Sequence, residues 1–365
     1  MAADGRRPRV LLLTSGPLDG RQGADTQLAT ALAQTVPDTE FLWFGQQPRG
    51  LPIGQTSGRR LPIVSRHGVP DLPVRLQSAA VGALAARRAD LVHVVMTIGS
   101  GFPSFSRLWP RLVGRRPVLH TVPGVMDPAL LTRCRPLGPT VALSEVTAGA
   151  LRAAGFHDVR IIRPLVRLDH WPRRPRPDTS PPTVLIVAHH DPEGGAEDAI
   201  KSAAVAARAG ARFHPVLAVR ARPGQNARLL EAGLRAHAEN EGLYDIEILG
   251  HVPDMHGLIV SSDVLLFVPR ALGGKADVPL TVLEALATGR PVILSDLPQF
   301  ASLRDTVLRA PAGDCHRTGH LLRQLLERPW WWENLAERGR ATVEDRFGPD
   351  RFRADYERLY QELLT

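Results

Sequence analysis

Short apolar runs at residues 10–13, 40–44, 91–95, 117–121 and 141–143 alternate along the chain with stretches whose apolar positions return at helical spacing. The runs predict strands and the stretches between them predict amphipathic helices. Strands alternating with helices build right-handed βαβ units on a parallel sheet, so the first half reads as a Rossmann-like domain. At residues 170–183, HWPRRPRPDTSPPT, repeated proline excludes both helix interior and central strand. A second series follows, with strands expected at 184–188, 213–219, 246–249, 264–268 and 291–294, and helices such as 196–209 and 225–241 between them. Beyond Trp330 the pattern is helical, is broken at Phe347, Gly348 and Pro349, and resumes with Phe352, Tyr356, Leu359, Tyr360 and Leu363 on one stripe.

The expected organisation is therefore an N-terminal Rossmann-like domain over 1–169, a linker over 170–183, a second Rossmann-like domain over 184–348 and a terminal helix over 349–365. A chain of 365 residues, 44% hydrophobic and 22% charged, has the length and apolar content for two packed cores. The apolar run at 10–13 is too brief for a signal-peptide core, and no run approaches the roughly 20 apolar residues of a membrane span. Cys134 and Cys315 lack metal-ligand spacing and read as reduced, buried thiols, which suits a cytoplasmic protein. The net charge of +8 is carried by arginine, because Lys201 and Lys275 are the only lysines. Such a field favours anionic partners, among them nucleotides, phosphorylated lipids and an anionic membrane touched peripherally. The arginines are scattered and lack interleaved aromatics, so nucleic acid is not an expected partner.

Candidate chemistry concentrates in VLLFVPRALGGKADVPLTVLEALATGRPVILSD, residues 264–296. Asp277 suits an N-cap, Pro279 a first helical turn and Gly289 a C-terminal stop, which predicts a helix over 278–288. Its free N–H groups, at Leu280 and Thr281, and its dipole would bind a diphosphate. Glu284 is a lone carboxylate among Leu280, Val282, Leu283, Ala285 and Leu286. Burying it costs several kcal/mol unless a hydroxyl or a cation meets it. Either it meets a ligand there, or it is a surface carboxylate on an amphipathic helix.

This segment resembles the donor site of the family 4 retaining glycosyltransferases. Lower-density likeness extends to the loop 16–23 (Gly20 and Gly23 included), to VALSEVTAGALRAAGF at 141–156, to RIIRPLVRLDHW at 160–171 and to the terminal helix. The resemblance implies a GT-B fold, with two Rossmann-like domains facing each other across a cleft and a C-terminal helix returning to the first. It implies that Glu284 accepts hydrogen bonds from a nucleotide ribose, and that His120, in PVLHTVPG, stands at a strand end and approaches the transferred sugar. Packing is the alternative for His120, and His93 reads as a satisfied core residue.

Two positions depart from the family pattern. Where the family has a second glutamate, eight residues before Glu284, this chain has Ala276, and the neighbouring Asp277 is either a cap or a sugar contact. Where the family places an arginine and a lysine on the diphosphate, this chain has His189, followed by His190, and Gly194. Arg270 and Lys275, flanking Gly273 and Gly274, are then the candidate replacement cations, with His189 as the rival. A neutral, hydrogen-bonded pair is the other reading of the histidines.

The function so implied is transfer of a sugar from a nucleotide-diphosphate donor, UDP- or GDP-linked, to a small-molecule, glycan or lipid-linked acceptor, with retention and without a metal or other cofactor. The nucleotide sugar is a co-substrate. Loss of the basic pair keeps open a same-fold epimerase, hydrolase or pseudo-glycosyl coupling enzyme, and also a catalytically degenerate sugar-nucleotide-binding subunit.

Overall fold

A computed structural model describes residues 6–18, 23–45, 58–62, 72–221, 225–273 and 275–365. Two compact units divide the chain. The first comprises Met1–Leu165, Gly273–Asp277 and Pro349–Thr365, and the second comprises Val166–Leu272 and Val278–Gly348. The proline-rich stretch 170–183 groups with the second unit, as does everything from Val166 to Leu272.

In the first unit the elements run β1 (Arg9–Thr14), α1 (Ala24–Thr35), β2 (Glu40–Gly45), β3 (Gly58–Pro62), α2 (Leu72–Ala86), β4 (Leu91–Val95), α3 (Phe102–Val113), β5 (Val118–Val122), β6 (Thr140–Ala142), α4 (Glu145–Ala153) and β7 (Val159–Ile161). The second unit runs β8 (Thr183–His189), α5 (Ala196–Arg208), β9 (His214–Arg220), α6 (Ala227–Asn240), β10 (Glu247–Leu249), α7 (Met255–Val260), β11 (Val264–Phe267), α8 (Leu280–Ala287), β12 (Val292–Ser295), β13 (Leu308–Ala310), α9 (Cys315–Glu327) and α10 (Pro329–Arg346). The last helix, α11 (Pro349–Leu364), returns to the first unit.

All strand pairs in both sheets are parallel. The first sheet has the order β3-β2-β1-β4-β5-β6-β7 and the second β10-β9-β8-β11-β12-β13. The winding reverses between β1 and β4 in one and between β8 and β11 in the other. At such a switch point the connections leave in opposite directions and open a crevice at the strands' carboxyl ends. Helices cover both faces of each sheet, which is why runs such as Leu91–Val95 are buried residue after residue rather than alternately.

The stripe on α11 finds its partners inside the first unit, where Phe352, Tyr356, Leu359 and Tyr360 join the core built on Val10, Leu12, Phe41 and Leu91. His93, in the middle of β4, is fully buried there. One ring nitrogen lies 2.7 Å from the Tyr360 hydroxyl and the other 2.7 Å from Thr121 Oγ1, and Thr121 in turn meets the Tyr356 hydroxyl at 3.1 Å. The imidazole is thus satisfied at both ends, and burial holds its pKa down at about 3. In the second unit Arg290 is 1% exposed and donates to the carbonyls of Pro175 and Val260, each at 2.9 Å, which ties residues 174–175 to that core. Cys134 and Cys315 are both buried and unpaired. Among the described residues no helix is long and apolar enough to cross a membrane.

The His93 shift fixes the sign of a pH effect. With a folded pKa of about 3 against 6.5 for the free group, the unfolded chain takes up the proton first, so stability falls as pH drops below about 6.5. At pH 5 the loss is about 2 kcal/mol. The melting temperature of the wild type should therefore decline from pH 7 to pH 5, and His93→Gln should flatten that decline while lowering stability at pH 7. An equal slope in the variant would remove His93 as its source.

Candidate functional site

In the second unit the switch point sits between the ends of β8 and β11, where His189 and Arg270 stand. His189 closes β8, and its N–H donates to Gly194 O at 3.4 Å, folding the loop 190–195 back on the strand. The loop is tied across the switch point as well, because Arg270 N–H donates to Glu193 O at 2.9 Å. No side chain fits where the two glycines stand. A Cβ on residue 194 would lie 2.3 Å from His189 O, and one on residue 195 would lie 2.3 Å from Val268 O. Gly195 also has φ +83°, in the left-handed region, and it opens α5 without any side-chain cap. The absence of a basic side chain at 194 thus follows from the backbone's close approach.

Arg270 occupies a different position from the one expected of a free phosphate ligand. Its Nε and Nη2 form a bidentate pair with Asp198, at 2.6 and 2.7 Å, on the first turn of α5. Asp198 is nearly buried and its carboxyl is held below the usual range, first by the Arg270 hydrogen bonds. Cys315 Sγ lies 3.7 Å from the same carboxylate. Lys275 belongs to the segment Gly273–Asp277, which groups with the first unit, so the two cations read from sequence as one basic loop are divided between the units. The loop 190–195 itself carries Asp191 and Glu193 rather than cations.

The helix at the donor segment starts later than the sequence predicts. α8 begins at Leu280, its N-cap is Pro279, and no side chain caps it. The Asp277 cap is therefore corrected. Its carboxylate accepts from Ser144 Oγ at 2.6 Å, and its N–H donates to Pro123 O at 3.1 Å, all within the first unit. Ser144 is itself the N-cap of α4, accepting from Thr147 N–H at 3.2 Å, so an Asp–Ser pair sits on that helix's amino end. Burial raises the Asp277 carboxyl while Ser144 and Thr147 oppose the rise. At its other end α8 closes with Thr288 as cap and the left-handed Gly289, φ +79°, after it.

An uncapped amino end leaves the N–H groups of Leu280 and Thr281 among the helix's orphan donors. One turn on, Glu284 is half-buried among Val282, Leu283 and Ala285, and among the described residues no hydrogen-bond donor or cation meets its carboxylate. Desolvation alone pushes its pKa up to about 7. An open helix amino end beside an unmatched carboxylate, on a helix that follows β11, has the chemistry to take an anion next to hydroxyl groups.

In the first unit the switch point lies at the ends of β1 and β4. Ser15 donates through both its N–H, at 3.2 Å, and its Oγ to the buried Asp25 at the amino end of α1, an acid the sequence reading passed over. Gly23 precedes α1 with φ +99°, and Gly20 lies outside the described residues. His120 is placed mid-strand in β5 rather than at its end, fully buried and stacked on Phe102 at 4.7 Å. Its Nε2 donates to Met96 O at 3.1 Å, which leaves Nδ1 as a buried acceptor with no partner, and burial lowers its pKa to about 4. Among the described residues no three His, Cys, Asp or Glu side chains come together as a metal site.

Residues 182–328 match the model of the family described as glycosyl transferases group 1. Over 139 residues the chain is 27% identical to the N-acetyl-alpha-D-glucosaminyl L-malate synthase of Bacillus anthracis, a match that covers 37% of this chain and 34% of that protein. The chain thus spans about a third of the length of that curated relative. In three dimensions it is similar to Anabaena HepE, solved in complex with UDP-glucose, with a TM-score of 0.75, 14% identity and coverage of 97% of this chain and 99% of that one. It is likewise similar to the sucrose-phosphate synthase of Thermosynechococcus elongatus, with a TM-score of 0.72, 16% identity and coverage of 98% and 99%. The fold is GT-B. The segment match falls on the second GT-B unit and supports a glycosyltransferase there, with Glu284, Arg270 and His189 all inside the matched residues.

A role for Arg270 in holding Asp198 separates from a role in phosphate binding by experiment. Arg270→Ala should lower stability by about 1 kcal/mol, the modest figure suited to an arginine whose side chain is 59% exposed. Asp198→Ala should cost a similar amount, and the double variant little more than either single one. Strict additivity, with nucleotide affinity lost in Arg270→Ala alone, would instead make Arg270 a ligand for phosphate.

Proposed function

We propose that the protein is a retaining glycosyltransferase that moves a sugar from a nucleotide-diphosphate donor, with UDP as the nucleotide carried over from HepE, to a hydroxyl acceptor. The observation that carries this reading is Glu284, an unmatched carboxylate on a helix whose amino end no side chain caps. Ribose hydroxyls would donate to Glu284, while the N–H groups of Leu280 and Thr281 and the helix dipole would hold the diphosphate. With Arg270 committed to Asp198, the helix end takes the larger part of the developing leaving-group charge.

Neither of the buried first-unit carboxylates among the described residues acts as a nucleophile in this scheme. Asp25 is held by Ser15 and Asp277 by Ser144. The acceptor oxygen would attack the anomeric carbon on the face the diphosphate leaves, and the departing phosphate oxygen would take the acceptor's proton. Catalysis then consists of positioning and of stabilising the diphosphate.

The pKa of Glu284 makes a signed test. Hydroxyl donors favour the ionised carboxylate, so bound ligand should pull the pKa below about 7 and binding near pH 6.5 should release protons. UDP-glucose, whose phosphates stay ionised across this range, should bind more tightly as pH rises from 6 to 8, measured by calorimetry in two buffers. Glu284→Gln should weaken binding by about 1 to 3 kcal/mol and abolish the proton release. Affinity that falls as pH rises, with Glu284→Gln unchanged, would transfer the ligand contact to protonated His189.

A further inference from the structure

The outer face of α3 carries two parallel rows that the first unit's core does not use. Trp109 and Val113 point inward and are buried, whereas Leu108 is 57% exposed and Leu112 is 49% exposed, one turn apart. Arg107 and Arg111, each directly before one of these leucines, form a second exposed row about 100° around the helix. Arg115 and Arg116 continue the basic row past the helix end, and Arg116 Nη2 donates to Arg87 O at 3.0 Å, which joins the carboxyl end of α2 to this surface. Leu84, 62% exposed, and Arg88 lie at that end of α2.

The charge of this surface is one-sided. Residues 77–126 contain six arginines and one acid, Asp90, which is already engaged by Arg6 and by the Arg9 N–H at 2.9 and 2.8 Å. None of Arg87, Arg88, Arg107, Arg111, Arg115 and Arg116 pairs with a carboxylate among the described residues. A nucleic acid would be met by the arginines but gives the leucines nothing to enter. An anionic lipid surface meets both, with headgroups on the guanidinium row and acyl chains under the leucine row.

We propose that this face of α3, with the carboxyl end of α2, docks the protein on an anionic membrane in the interfacial plane, independently of what the second unit binds. The leucines supply the apolar depth and the arginines the selectivity for negative headgroups.

The experiment is vesicle sedimentation of the intact protein at low and at high salt, with vesicles of phosphatidylcholine alone and with about a third phosphatidylserine. Binding should require phosphatidylserine and fall steeply with salt. R107Q/R111Q/R115Q should weaken it by about a hundredfold, taking roughly fivefold for each arginine near the surface. L108Q/L112Q should also weaken it by at least fivefold, with melting temperature and UDP-glucose binding unchanged in both. Equal binding to neutral vesicles, no binding to either, or leucine variants indistinguishable from wild type would overturn the proposal. It would also fall if sedimentation equilibrium showed a dimer that L108Q/L112Q dissolves, since the face would then belong to a second copy of this chain.

Discussion

A wholly parallel sheet covered by helices on both faces leaves one place where backbone is not overlaid, the carboxyl edge at the strand where the winding reverses. Both units obey this constraint, at β1 and β4 in one and at β8 and β11 in the other. Two features of the second unit follow from it. Close approach of the loop 190–195 to the strands at that edge removes side chains from residues 194 and 195. The same closeness brings Arg270 after β11 to Asp198 on α5, where each satisfies the other.

That pairing alters the electrostatics of the edge. A bidentate arginine–carboxylate pair is nearly neutral at a distance, and Asp191 and Glu193 add negative charge to the loop beside it. For the diphosphate proposed above, the attraction would lie chiefly in the amino end of α8, where no side chain among the described residues caps the N–H groups. Asp277 would have been that cap. Held instead by Ser144 in the first unit, it leaves the helix end open, and the carboxylate stays buried because a hydroxyl and the amino end of α4 compensate it.

The alternation of apolar runs and helical stretches made both sheets legible in the sequence, because parallel strands covered on both faces give uninterrupted apolar runs such as LVHVV. Glu284 was legible for the same reason in reverse, as one charge in an apolar helix. What the sequence could not show were partners distant in the chain. Arg270 and Asp198 are 72 positions apart, and Ser144 and Asp277 are 133 apart. An aspartate two residues before a proline satisfies the local rule for a cap, and only a serine from another part of the chain draws it away. His120 was similarly misjudged by local context. The PVLHTVPG pattern suggests a strand end, yet the strand continues to Val122 and the ring lies inside the unit.

The buried titratable groups then divide by sign. His93 and His120 are kept neutral by burial, with pKa values of about 3 and about 4, and both favour the folded first unit as pH rises toward neutrality. Glu284 runs the other way, because its carboxyl, raised to about 7, must ionise at some cost in a half-buried setting while the unfolded chain ionises it freely. His93 has two partners and is a settled part of the core. Glu284 has none among the described residues, and a strained or unsatisfied group persists in a fold only where the surrounding structure holds it there. In the role proposed for Glu284, hydroxyl donors reaching the carboxylate would offset that cost and couple ligand binding to stability at that one side chain.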